Sequence, residues 1–444
     1  MGEKTRHSEM SLLGLFLLVL CLIPAVPAQD MMYRYDAAHT GDYSPIAGVN
    51  GINISLLWID SNFTYNASLG SESTPVAVNG IVYTTDINGN FYALNATTGV
   101  EQWDSPIYIH SSSPAVSNGI VYVGNFNGNV YALNAMTGTT IWDYPVQSSI
   151  ECSSPAVANG IVYITSGNAV LYALNATTGR NIWDFAVGGS SDLSPAVSDG
   201  MVYVGSDNGN VYALDADTGE KIWNTTMNGG AGSSPLVKDN RVYISSTAGT
   251  EYAFDGATGE KIWTFKIVGG AEFDPALADN TLYISDNGND LYALNAATGR
   301  QLWRVALSGT SPIIANGVLY LYIDNGNIVA LNATTGLQIW EWQNAYSAGN
   351  GFIVIDNDVL YGHSFLNVLN PYRPTFTNTI FALDLNPGAS HASTPSLTPV
   401  TTIPAPTVTP TSPITTPRSG IDAILIFGAL GSCGVIFLFR KNRN

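Results

Sequence analysis

Five carboxylates stand just upstream of prolines that recur about every 40 residues: Glu72, Glu151, Asp192, Glu272 and Asp274. Most of their segments also carry hydroxyls, as in Ser71–Thr74 (SEST), Glu151–Ser154 (ECSS) and Ser191–Ser194 (SDLS), while Ala271–Asp274 (AEFD) brings two acids. His110 and Cys152 occupy the same kind of position. Carboxylates mixed with hydroxyls suit a hard cation, and calcium is the natural choice. The same acids equally suit solvated loops on an acidic protein. Other chemistry is harder to assemble. His39, His110 and His363 show no metal-ligand spacing, and no Ser-His-Asp set comes together. Asp86–Asn90, Asp207–Asn210, Asp286–Asp290 and Asp324–Asn327 resemble pieces of calcium loops but lack the closing Glu. Tight hairpins demand such Asn-Gly and Asp-Asn-Gly runs, so turn chemistry explains them.

The elements that must position these residues are repeats. The stretch Ala93–Gly99 (ALNATTG) returns at Ala132, Ala173, Ala213, Ala253, Ala293 and Ala330. A Trp follows each final Gly by four residues: Trp103, Trp142, Trp183, Trp223, Trp263, Trp303 and Trp340. The prolines fall at Pro75, Pro114, Pro155, Pro195, Pro235, Pro275 and Pro312. A period of this size denotes a solenoid or a propeller. Each unit reads as four short strands with no helical periodicity. In the second unit these are Ser113–Ser117, Ile120–Gly124, Val130–Leu133 and Thr140–Tyr144. Such a unit is one propeller blade. An eighth unit, Gly351–Gly388, ends at Asn386-Pro387-Gly388 without a Trp, and Ile52–Ile59 holds an orphan Trp58. The N-terminal strand is therefore expected to supply the outer strand of the last blade. Closure of that kind removes exposed edges. The expected fold is all-β, an eight-bladed propeller over residues 51–388.

The spacing A-x-[N/D]-x-x-T-G-x-x-x-W resembles the docking motif of the PQQ-like repeat family, the quinoprotein-type and BamB-like eight-bladed propellers. The resemblance covers about Ile52–Gly388. It implies a structural role for Trp58 and the seven repeat Trp residues, each flat between blades against a turn Gly, with Asn or Asp and Thr holding the turn. Tyr33–Pro45 resembles the lead-in segment of such propellers, within residues 29–50. Quinone-dependent dehydrogenases of this fold imply adjacent cysteines, a calcium site and a catalytic Asp. This chain has no adjacent cysteine pair, so PQQ chemistry is not expected, and no catalytic residue is assigned.

The chain has 444 residues and a net charge of −18, with charged residues only 11% of the total. Lys and Arg are scattered, so nucleic-acid binding is not expected. Residues 1–28 read as a signal peptide: Lys4 and Arg6 precede the apolar run Leu12–Ile23, and Val26 and Ala28 fit a cleavage site. Residues 389–419 are almost all Ser, Thr, Pro and Ala, an extended stalk. Residues 420–444 hold the apolar run Ile421–Phe439 and a basic end, expected as a membrane helix with a cytoplasmic tail. Together these resemble surface-anchoring tails of archaeal exported proteins. Sequons at Asn53, Asn62 and Asn66 lie outside the repeat and are the glycosylation candidates. The functional expectation is a monomeric, single-pass cell-surface propeller that binds a surface protein, glycan or envelope component. An envelope assembly scaffold, or an enzyme using the acidic mouth, are the alternatives.

Overall fold

A computed structural model of the chain describes residues 36, 39–40, 54–65, 73–86, 89–109, 112–189, 193–270, 273–307, 309–343, 351–368 and 375–387. It is all-β, with eight antiparallel four-stranded sheets. Seven blades are built in sequence order. Blade 1, for example, comprises Val76–Val78, Ile81–Thr85, Phe91–Asn95 and Glu101–Ser105. Blades 2 to 7 follow over residues 115–145, 156–186, 196–226, 236–266, 276–306 and 313–342. The strands of a blade are called A to D from first to last.

Blade 8 closes the ring as expected. Its strands A to C are Gly351–Asp356, Val359–Val368 and Thr375–Asp384, and its strand D is the N-terminal Ser55–Tyr65. The register pairs Trp58 with Ala382 and Ile59 with Phe381. Joining the first strand to the last sheet removes the seam that would leave the ring open. The strands of this blade run longer than the short patterns in the sequence. Strands B and C have 10 residues each, against five or six elsewhere.

Strand boundaries follow local chemistry. Asn or Asp followed by Gly joins strands A and B in five blades, with positive φ at both, as at Asn118 (51°) and Gly119 (75°), and pairs of Asn and Asp do so in blades 5, 6 and 8. The A, B and C strands read as continuous apolar runs because blades stack face to face. Strand B of blades 1, 2 and 3 is buried along its whole length. Strand D alternates instead, with Trp inward and Ile or Lys outward, because it forms the rim.

The A–B and C–D turns share one face of the ring; the Ala96 amide donates to the Gly80 carbonyl. The B–C hairpins and the links between blades share the other, where the Ile109 amide donates to the Gly89 carbonyl. This second face is the mouth, and Glu151 and Asp274 are the predicted acids described on it. The segments 1–28, 388–419 and 420–444 lie outside the described residues. Among the described residues, no helix is long and apolar enough to cross a membrane.

Candidate functional site at the channel mouth

The seams between blades are set by the repeated turn. In most turns the Asn or Asp oxygen accepts from two following amides and the Thr hydroxyl, as Asn175 does from Thr177, Thr178 and Thr178 Oγ1. The turn then presents one carbonyl to the preceding blade. Trp142 Nε1 donates to the Ala176 carbonyl at 2.9 Å, and the Tyr122 hydroxyl donates to the same oxygen at 3.1 Å. The two rings pack at 5.9 Å between centroids. Trp58, Trp103, Trp183, Trp223, Trp263 and Trp303 dock in the same way, on Ala96, Ala135, Ala216, Gly256, Ala296 and Ala333. The Tyr partner was legible in the sequence, because every unit carries Tyr in its second strand, but the motif reading passed over it.

Trp340 departs from the pattern. It still packs on Tyr320 at 5.8 Å, yet its Nε1 and the Tyr320 hydroxyl are both buried without a hydrogen-bond partner. Blade 8 has Leu385-Asn386-Pro387 where the other turns have Ala or Gly, one further residue and Thr. Trp342 packs on Phe381 beside it, with centroids 4.9 Å apart and rings tilted by 40°. A direct test follows. Tyr163→Phe, which removes a bonded hydroxyl, is expected to cost about 1 kcal/mol. Tyr320→Phe, which removes an orphaned one, is expected to be neutral or slightly stabilising. Chemical denaturation of the two variants checks this; equal losses would contradict the seam assignment.

At the axis the "Ser-Ser-Pro" segments form a belt. The residue before each proline donates its amide to the side chain of its counterpart in the next blade. The series runs from Thr74 to Ser113 (2.8 Å), Ser154 (3.0 Å), Ser194 (2.9 Å), Ser234 (3.2 Å), Asp274 (2.7 Å) and Ser311 (3.0 Å), each pair listed by its acceptor. The Ser one place earlier holds its own blade: Ser112 accepts from the Gly124 amide, Ser153 from Thr165 and Ser233 from Ser245. Proline supplies no amide, so the residue before it carries the inter-blade contact. Asp274 thus serves as a belt member, with its carboxylate standing in for a hydroxyl.

Of the other predicted acids, Glu151 is partly buried and accepts from Ser149 Oγ at 2.9 Å. Glu72, Asp192 and Glu272 lie outside the described residues, as do Asn53, Asn66 and His110; Asn62 falls within the first strand, its side chain undescribed. Among the described residues, no three His, Cys, Asp or Glu side chains stand together as a metal site. Two of the hairpin acids cap their turns. Asp86 accepts from the Asn90 amide at 2.8 Å, and Asp286 accepts from the Asp290 amide at 2.7 Å.

The lead-in segment reaches the same region. Asp36 accepts from the Thr40 amide and hydroxyl, making a compact turn with His39 at φ 60°. His39 Nδ1 lies 3.2 Å from the Pro235 carbonyl, and the Thr40 carbonyl accepts from the Leu277 amide at 2.9 Å. His39 and Thr40 are buried. They therefore cap the inner strands of blades 5 and 6.

A model of the family described as outer membrane protein assembly factor BamB matches residues 55–144, 109–194, 167–270 and 252–389. Those matches span the ring from its closing strand to the end of blade 8. The chain belongs to this PQQ-like repeat family. Among solved structures it resembles BamB from Moraxella catarrhalis at 18% identity, covering 76% of this chain and all of that one, with a TM-score of 0.61. It also resembles a quinohemoprotein alcohol dehydrogenase from Pseudomonas putida HK5 at 17% identity, covering 82% and 81%, with a TM-score of 0.65. A europium-containing methanol dehydrogenase matches at 14% identity over 81% and 98%, with a TM-score of 0.67. At these identities the likeness is one of fold. No curated protein matches the chain in sequence.

Proposed function

We propose that this PQQ-like propeller is a binding module displayed on the cell surface, which engages a protein, glycan or envelope component through its mouth face and performs no chemistry. The observation that carries this reading is the belt. The polar side chains that gather at the axis already serve one another, and the lead-in residues cap the inner strands beside them. What remains available is the loop surface around them. There Tyr108 and Phe126 form an exposed edge-to-face pair, with centroids 6.1 Å apart and rings at 80°. Tyr108 adopts φ 52°, at a link that uses glycine with positive φ in blades 3 to 5. A bulky residue held in that region and an aromatic exposed on a hairpin are features of recognition surfaces.

The anchor belongs to the proposal: the signal, stalk and apolar run would place the ring outside the cell on a tether. The family match favours a second reading of the same surface, a scaffold in envelope assembly. Photocrosslinking of the full chain in its native membranes tests both. A crosslinker at Phe126 is expected to capture a discrete partner, and one at Thr97, on the opposite face, is not. Partner identity separates an assembly component from another ligand. Stoichiometric quinone absorbance with dye reduction in the purified chain would overturn the non-enzymatic reading.

A further inference from the structure

Two residues break the repeat, and the fold places them in neighbouring blades. The first core position of strand C is Phe91, Val130, Leu171, Val211, Leu291, Ile328 and Ile380 in seven blades, each completely buried. In blade 5 it is Glu251, equally buried. The belt position before each proline is Thr or Ser in six described cases; before blade 6 it is Asp274. Glu251 and Asp274 therefore belong to adjacent blades, and the charge of Asp274 acts on Glu251. One oxygen of Glu251 accepts from the hydroxyl of Ser245, its cross-strand partner. The other, Oε1, is buried with no hydrogen-bond partner.

We propose that buried Glu251 is a proton-binding site, and that the proton on its carboxyl keeps the lead-in segment seated on the inner strands of blades 5 and 6. A dry carboxylate with an unpartnered oxygen is costly, and a carboxylic acid is much less so. Burial and Asp274 accordingly push Glu251 up to about 8, partly offset by the Ser245 hydrogen bond. The other titratable groups described around it are the Tyr243 hydroxyl, itself raised mainly by burial, with Arg241 and Glu251 acting on it in opposite senses, and His39 of the lead-in. The link to the lead-in is short. Asp274 accepts from the Ser234 amide, Pro235 follows and contacts His39, and Leu277, three residues past Asp274, donates to Thr40. When hydroxide removes the Glu251 proton, a buried carboxylate is left without a counter-charge and is repelled by Asp274. Their repulsion is relieved by parting Ser234 from Asp274, which releases both lead-in contacts.

Amide hydrogen exchange on the full chain, read between pH 6 and 9.5 and corrected for intrinsic rates, tests this. Peptides covering residues 36–40 and 273–278 are expected to lose protection by about tenfold or more as the pH passes about 8, while blade 1 peptides do not. Glu251→Gln removes the step. Asp274→Ser restores the hydroxyl found in the other blades and moves the step to lower pH, because the like charge is gone. Should Glu251→Gln fail to fold, Glu251→Leu restores the apolar slot, and Asp274→Ser alone still reports where the step lies. An unchanged step in the Glu251 variant, or an unmoved one in Asp274→Ser, would overturn the proposal.

Discussion

Replacing Trp142 with Ala is expected to cost about 3–5 kcal/mol of folding stability. The indole is buried, donates to Ala176, and lies on the turn glycine of the next blade. Gly179 should be nearly as sensitive, for two separate reasons. It sits at φ +67°, which costs a residue with a side chain roughly 1–2 kcal/mol. A methyl placed on it would also lie 2.6 Å from Cδ2 of Trp142, well inside contact distance. Gly179→Ala is therefore expected to lose about 3 kcal/mol or more. The double variant distinguishes this account from simple loss of packing. With the indole gone the methyl has room, so the double loss should fall short of the sum by about 1–2 kcal/mol. Urea denaturation of the four proteins measures it. Strict additivity would mean that the glycine and the indole do not share a seam.

Stability is expected to fall as pH rises from about 4.5 to about 8, and Glu251 is the main source. Its folded-state value lies above the ordinary 4.5, so the fold holds the proton more tightly than the unfolded chain. Between those values the folded state carries more bound protons, and rising pH therefore favours unfolding until Glu251 itself ionises. The interval corresponds to about 5 kcal/mol, absent from Glu251→Gln. Asp356 adds to the same limb. Burial raises it to about 7, against a hydrogen bond from Asn357, an interval of about 4 kcal/mol. His363 acts with the opposite sign. Its burial lowers it to about 4, although the Ser73 backbone and the charge of Asp86 favour the charged ring. The unfolded chain takes up that proton first, so stability drops by about 3 kcal/mol as pH falls from 6.5 to about 4. Thermal unfolding across pH 4–9 of the parent and Glu251→Gln checks the balance. A constant gap between the two curves would show that Glu251 ionises as freely in the fold as outside it.

These effects also explain why Glu251 escaped notice as a site. In the sequence it is one acidic residue in EYAFD, two positions from the start of a repeat turn. Comparison down the repeat marks it as foreign, since all its counterparts are apolar. Its neighbour across the seam is 23 positions away and belongs to another blade. Likewise, the acids before the prolines read as ligands because carboxylates and hydroxyls are cation chemistry. The structure spends those hydroxyls, and Asp274, on holding blades together.

The sequence by itself determined the number of blades, their strand order, the closing strand and the docking turns. Each of these rests on contacts within one repeat or between consecutive ones, so a period of about 40 residues carries the whole instruction. Tertiary structure alone decided that Tyr and Trp share one carbonyl, that the last seam leaves Trp340 and Tyr320 without an acceptor, and that Glu251 is buried with one oxygen unpaired. Hydrogen-bond partners and desolvation depend on which atoms the closed ring brings within about 3 Å of one another, and the order of residues along a chain does not contain that distance.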